Sequence, residues 1–191
     1  MQQTILNILK FLKDVELLKS VTRHSWTSSG RQESVAEHSW RLAVMAIVLE
    51  EEFPQVDIKK VIEMVIIHDF GEVYDGDFPT FQKQPSNKAK IEERAVRKLV
   101  EPLTPNVQNK IIKLSNELHE YKMPEAKLAR ALDKLEVLIQ HNEADLSTWV
   151  SKEYTYNLTC SRKYMGFHKF IKKFREIIDK QTREKVAEEK K

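Results

Sequence analysis

Apolar residues return every three or four positions along most of this chain, a period that dictates helices and leaves little room for a sheet. Ile5, Leu6, Ile8, Leu9, Leu12, Val15, Leu17 and Leu18 set a first helix over about 3–19. Residues 20–33 are polar and small and read as a loop. Ser34 caps a second helix, with Glu37 three positions on completing a capping box. That helix carries Ala36, Trp40, Ala43, Val44, Ile47 and Val48, and Pro54 lies beyond its end. Asp57 caps a third helix running to about Asp69, and Gly71 to Pro85 reads mostly as loop. A fourth helix is expected over about 87–101, and Thr104-Pro105 opens a fifth that runs to about Tyr121. Met123-Pro124 opens a sixth, bearing Leu128, Ala131, Leu132, Leu135, Leu138 and Ile139. Residues 148–160 fit neither period, a last helix covers about 161–180, and 181–191 is expected to fray.

With only four glycines and six prolines in 191 residues, and no period-two segment or internal repeat, the expectation is an all-α helical bundle. Residues 1–191 are expected to form a single domain, with its core over about 20–142. The net charge of +3 is too small and too interleaved to mark a nucleic-acid polymer as partner. A single cysteine, Cys160, excludes an intrachain disulfide and a cysteine-based zinc cluster. Met1-Gln2-Gln3-Thr4 lacks the charged start of a signal peptide, and no apolar run of about 18 residues is present to span a bilayer. A cytoplasmic location, away from membranes, is therefore expected.

The chemistry concentrates where the apolar run Val61-Ile62-Glu63-Met64-Val65-Ile66-Ile67 ends in His68-Asp69. Such a run belongs in a core, where an ionised carboxylate is costly unless paired or bound to a metal. His68 and Asp69 sit about 100° apart on a helix, so both can touch one ion beside it, and Glu72 shares the face of His68 if helical geometry continues. The helix of His38 must pack its apolar face, and the run before His68 is the natural partner. Two imidazoles with carboxylates suit a divalent transition metal (Mn²⁺, Fe²⁺, Co²⁺, Ni²⁺ or Zn²⁺), whereas an all-oxygen Mg²⁺ or Ca²⁺ site has no need of histidine. Taken alone, His68-Asp69 is more simply a surface or capping pair.

The wider pattern changes that balance. Ser34-Val-Ala-Glu-His38-Ser, His68-Asp-Phe-Gly-Glu72, Gly76-Asp-Phe-Pro-Thr80 and Ala131-Leu-Asp133-Lys-Leu closely resemble the HD-domain metal-dependent phosphohydrolases. Within that superfamily the chain looks like the HD-domain 5′-deoxynucleotidases, including the HD-domain-containing protein 2 group. The resemblance implies a helical bundle of the HD type that hydrolyses deoxynucleoside 5′-monophosphates to deoxynucleosides and phosphate. It implies one divalent metal, Mn²⁺, Co²⁺ or similar, held by His38, His68, Asp69 and Asp133. Glu72 matches the family's catalytic acid, acting with Asp69. Asp77, Phe78, Pro79 and Thr80 match a substrate-binding loop. Arg23 and Trp26 fall where relatives contact the nucleotide phosphate and the sugar's 2′ position, although here His24 and Ser25 separate a pair that some members carry adjacent. For Trp26, plain core packing competes with the substrate role. His24, His119, His141 and His168 have no place in the pattern. Relatives of this kind imply a homodimer, and the apolar first helix suits either that interface or the monomer's own core.

Two rival readings stand beside this one. Other HD proteins cleave pyrophosphates or cyclic dinucleotides, but Val73 follows Glu72 where a (p)ppGpp hydrolase has a further acid, and no Gly-Tyr-Pro segment occurs. The other is a non-catalytic helical binding protein, which would carry no stoichiometric metal.

Overall fold

The computed structural model describes residues 1–78 and 86–188. Among them run eight α-helices: α1 Gln2–Glu16, α2 Val35–Val48, α3 Ile58–Ile67, α4 Lys88–Val100, α5 Pro105–Glu120, α6 Pro124–Glu143, α7 Glu153–Thr159 and α8 Lys169–Glu188. Pro79 and Thr80, half of the expected substrate loop, lie outside the described residues.

Local chemistry sets most of the helix starts. The Ser34 side chain accepts from the Glu37 amide while the Glu37 carboxylate accepts from Ser34 N, closing the capping box at 3.2 and 2.9 Å. Asp57 accepts from Lys60 N at 3.1 Å, and prolines occupy the first turns of α5 and α6, where a missing N–H costs nothing. Helix α6 is buried nearly all round and becomes the axis of the bundle: Leu128, Leu132, Leu135 and Leu138 are buried against α2, α3, α5 and α8. Val61, Met64 and Val65 of α3 and Leu42 and Ala46 of α2 complete that core.

Four expectations need correction. The expected loop at 20–33 contains a hairpin, β1 Thr22–Trp26 antiparallel to β2 Gln32–Ser34, with Gly30 at φ 81° in its turn. Strands of five and three residues, interrupted by an irregular register, are too short to print a period. Helix α2 buries Val35, His38, Ser39, Leu42, Met45 and Ala46, whereas Trp40, Val44, Ile47 and Val48 face outward. Helix α3 stops at Ile67, so His68 and Glu72 do not share one helical face; a 3-10 turn, Phe70–Glu72, brings Glu72 back instead. The last helix begins at Lys169 rather than near 161 and continues through 188, because Thr182 is buried and its hydroxyl bonds Asn142 Oδ1 at 2.9 Å.

None of the residues of α1 is buried; Phe11 and Val15 pack against the core, while Ile5, Leu6, Leu9 and Leu12 are all about half exposed and lie outside it. Gly71 is where α4 crosses the 3-10 turn: a Cβ there would stand 2.7 Å from Glu92 Cβ and 3.0 Å from its Cα.

Candidate metal centre and cavity

Three places in the fold deliver the four centre residues. The Ser34 cap sets the register of α2 so that His38 points inward and is fully buried. His68 is the last helical residue after α3, and Asp69 leaves the helix at φ −106° and ψ 17°, turning its carboxylate beside the ring it follows. Asp133 faces the same place from α6.

The donor atoms of His38, His68 and Asp69 all lie within 4.8 Å of one another. His68 Nε2 is 2.9 Å from Asp69 Oδ2, His38 Nε2 is 3.5 Å from Asp133 Oδ1, and the imidazole centroids are 5.2 Å apart. The structure therefore brings His38, His68, Asp69 and Asp133 together.

Their outer partners decide what the rings can do. His68 Nδ1 lies 2.7 Å from the Val65 carbonyl oxygen, a pure acceptor, so that nitrogen carries the hydrogen. His38 Nδ1 lies 2.5 Å from Glu136 Oε2, both groups fully buried. Both Nε2 atoms are buried with no hydrogen-bond partner. Orphaned imidazole nitrogens aimed at two carboxylates, with their far sides anchored, fit a divalent cation by donor chemistry and by outer support.

The electrostatics are those of a site short of positive charge. Burial and Arg23 oppose a charge on His38, yet Glu136 and Asp133 outweigh them and hold its pKa at about 9. Asp69 and Asp133 are held well below the usual carboxylate range despite burial, Asp69 by His68 and Arg23 and Asp133 by Lys134 and His38. Burial, then Asp69 and Asp77, push Glu72 up to about 10. Glu33 is pushed to about 7 by burial and Glu136.

A cavity of about 380 Å³ opens on this centre, lined among others by Arg23, His68, Asp69, Glu72, Asp77 and Phe78. The Arg23 guanidinium is 3.2 Å from Asp69 Oδ2 and 3.3 Å from Glu33 Oε2, so it ties a buried acid to the centre while facing the cavity. Trp26 does not line the cavity; its carbonyl accepts from Gln140 Nε2 at 2.7 Å. His24, next to Arg23, lines it instead, since the irregular register of β1 turns Arg23, His24 and Ser25 all toward that space.

Sequence reasoning missed several residues here. Glu136 lies three positions after Asp133, the spacing of one helix face, which is a legible signal. Glu33 carries none. His119, Arg130 and Lys134 also line the cavity, with Lys134 Nζ 2.9 Å from Asp133 Oδ2, as do His141, Glu153 and Asn157. No described helix is long and apolar enough to cross a membrane.

A family profile described as an HD domain matches residues 15–175. The 5′-deoxynucleotidase HDDC2 of Dictyostelium discoideum is 32% identical over 146 residues, spanning 72% of this chain and 77% of that protein. The human protein of the same name is 29% identical over 140 residues, with 72% and 68% covered. A crystal structure from Magnetospirillum magnetotacticum, described as a predicted metal-dependent phosphohydrolase, superposes with a TM-score of 0.83 at 24% identity, covering 96% of this chain and 97% of that one.

Proposed function

The chain belongs to the HD-domain family, and from that premise we propose that it is a 5′-deoxynucleotidase, hydrolysing deoxynucleoside 5′-monophosphates to deoxynucleosides and phosphate. The observation that carries the chemistry is the pair of buried, unpartnered Nε2 atoms of His38 and His68 facing Asp69 and Asp133. The substrate class rests on relatives named 5′-deoxynucleotidase.

In this reading His38, His68, Asp69 and Asp133 hold one divalent transition metal, Mn²⁺ or Co²⁺ by preference. When bound, such an ion polarises a phosphoryl oxygen and lowers the pKa of water. The chain's own residues do the rest. Glu72 is buried at the cavity wall and can hold or release a proton beside Asp69. Arg23, Lys134 and Arg130 present positive charge to a phosphate in the cavity. Asp77 and Phe78 stand at the cavity wall, where a carboxylate suits a sugar hydroxyl and a ring covers the substrate. Pro79 and Thr80 extend that loop in the proposal. The role of shaping the pocket beside Arg23 passes from Trp26 to His24.

We further propose that the chain acts as one HD domain and as a homodimer. Two outward apolar faces support the second copy: Ile5, Leu6, Leu9 and Leu12 on α1, and Trp40, Ile47 and Val48 on α2, with Trp40 68% exposed.

The test is phosphate release from a panel of deoxy- and ribonucleoside 5′-monophosphates with Mn²⁺ or Co²⁺, before and after chelation. Metal-dependent release favouring the deoxy series is expected. No release from any monophosphate, or release indifferent to chelation, removes the assignment.

A further inference from the structure

Six residues of α6 that line the cavity, Arg130, Asp133, Lys134, Val137, Leu138 and His141, fall at helical i, i+3, i+4 spacing and form one stripe. The cavity therefore runs along this helix, from an ionic end at Asp133 and Lys134, over an apolar middle, to a polar end at His141. At 1.5 Å per residue, Asp133 and His141 are about 12 Å apart along the axis. That span matches a nucleotide laid from phosphate to base better than it matches a bare phosphate.

Beside His24 and His141, the polar end is built by α7, which the metal centre does not use. Glu153, at the start of α7, is 1% exposed, and its Oε2 accepts from Val150 N at 2.8 Å. Its Oε1 lies 3.2 Å from His24 Nε2 and 3.5 Å from His141 Nε2, and the pairing with His24 raises that imidazole's pKa. Asn157, one turn on in α7 and 2% exposed, meets His141 Nδ1 at 3.0 Å through its side-chain nitrogen. The wall is stiff: Arg175 of α8 donates to the Asn157 and Cys160 carbonyls at 2.7 and 2.8 Å, and Trp149 Nε1 donates to the His141 carbonyl at 3.1 Å.

We propose that His24, His141, Glu153 and Asn157 form a nucleobase subsite, with the base lying over Val137 and Leu138 and its N–H or amine edge turned to Glu153. The inference rests on the phosphomonoesterase reading and adds to it the place where the nucleoside is recognised. A carboxylate oxygen shared between two imidazoles at the far end of the cavity keeps lone pairs for a ring N–H or exocyclic amine, and hydrolysis at the ester end makes no demand for one. An aliphatic floor beneath a ring and a few fixed polar groups at its edge is the general construction of a small-molecule pocket.

The experiment compares each deoxynucleoside 5′-monophosphate with 2-deoxyribose 5-phosphate, which keeps the ester and sugar and lacks the base. Glu153→Gln removes the charge at nearly constant shape, and Val137→Phe fills the floor without touching a buried ion, so it serves where the first variant folds poorly. In each, the ratio of kcat/KM for the nucleotide to that for deoxyribose phosphate should fall about tenfold or more, the loss expected for one hydrogen bond to a charged group, and it should fall through KM. An unchanged ratio in both variants overturns the subsite. Calorimetric binding of free deoxynucleosides supplies a readout independent of turnover: the wild type should bind and Val137→Phe should not. A wild type that binds deoxynucleosides yet releases no phosphate counts against the hydrolase reading and leaves the subsite standing; one that binds none overturns the subsite.

Discussion

Replacing Glu136 by Gln isolates how the metal centre is held. His38 Nδ1 faces Glu136 Oε2 at 2.5 Å in a fully buried contact, so Gln keeps an acceptor in the same place and removes only the charge. Loss of a carboxylate behind a ligating histidine costs about 10–100-fold in metal affinity, or about 1.4–2.7 kcal/mol. Calorimetric titration of chelator-stripped protein with Mn²⁺ or Co²⁺ should show that loss, and the visible absorption of bound Co²⁺ should shift as the ligand field weakens. The variant also carries a pH signature. In the metal-free protein His38 has a pKa of about 9, raised by Glu136 and Asp133 against burial and Arg23. Ligation requires a bare Nε2, so below that pH a proton must leave, and affinity should rise about tenfold per pH unit and level off near 9. Without the Glu136 charge the levelling point moves to lower pH while the plateau itself drops. The same raised pKa makes the metal-free fold most favoured below about 6.5, with that contribution lost as pH climbs to 9, opposite in sign to the metal-bound protein. Wild-type affinity in Glu136→Gln, with an unmoved pH profile, would refute the reasoning.

Other residues yield separate outcomes. Glu72→Gln should retain metal, measured by elemental analysis, while kcat falls by about 100-fold or more, the usual scale of a lost proton-transfer group. In Gly71→Ala the new methyl meets Glu92 Cβ and Cα, so α4 must shift; a destabilisation of about 1–3 kcal/mol should appear as a lowered urea midpoint. Arg175→Met leaves Asp179 buried with one fewer partner and frees the Asn157 and Cys160 carbonyls, so a loss of about 3–5 kcal/mol is expected in chemical denaturation. Trp40→Glu with Ile47→Glu places charge on an exposed apolar face, and light scattering should report the mass of one chain where the wild type gives two.

The parts of this fold that were legible in the sequence are those written in local chemistry. Ser34 with Glu37, Asp57, Pro105 and Pro124 each mark a helix start through a bond or a missing donor within four residues, and the structure has helices at all four. The hairpin at 22–34 is held by a partner strand across an irregular turn, and five residues of Thr-Arg-His-Ser-Trp carry no alternation to reveal it. The end of α8 depends on Thr182 meeting Asn142 of α6, a contact that no window along the chain contains. The same division holds at the centre. His68-Asp69 stands out because charge follows an apolar run, and His38 because its helix is expected to pack against that run. Asp133 was legible only through resemblance, since Lys134 beside it reads equally as surface. Glu153 and Asn157 sit in the stretch that showed no period, and their meaning comes from facing His24 and His141 across the cavity.

Charge balance links the metal centre to its neighbouring acid. Glu33, Asp69, Glu72, Asp133 and Glu136 crowd one region, with Arg23, Arg41, Arg130 and Lys134 as nearby permanent cations. Burial first, and then the neighbouring acids, hold Glu33 near 7 and Glu72 near 10. Asp69, the strongest charged neighbour raising Glu72, is also one of the residues positioned to hold the ion. Positive charge placed beside Asp69 weakens that influence and draws the Glu72 pKa down, while the larger effect of burial remains. Loading the site therefore also favours the ionised form of Glu72, and the protons released into solution as the metal binds at neutral pH should number at least the one that His38 gives up.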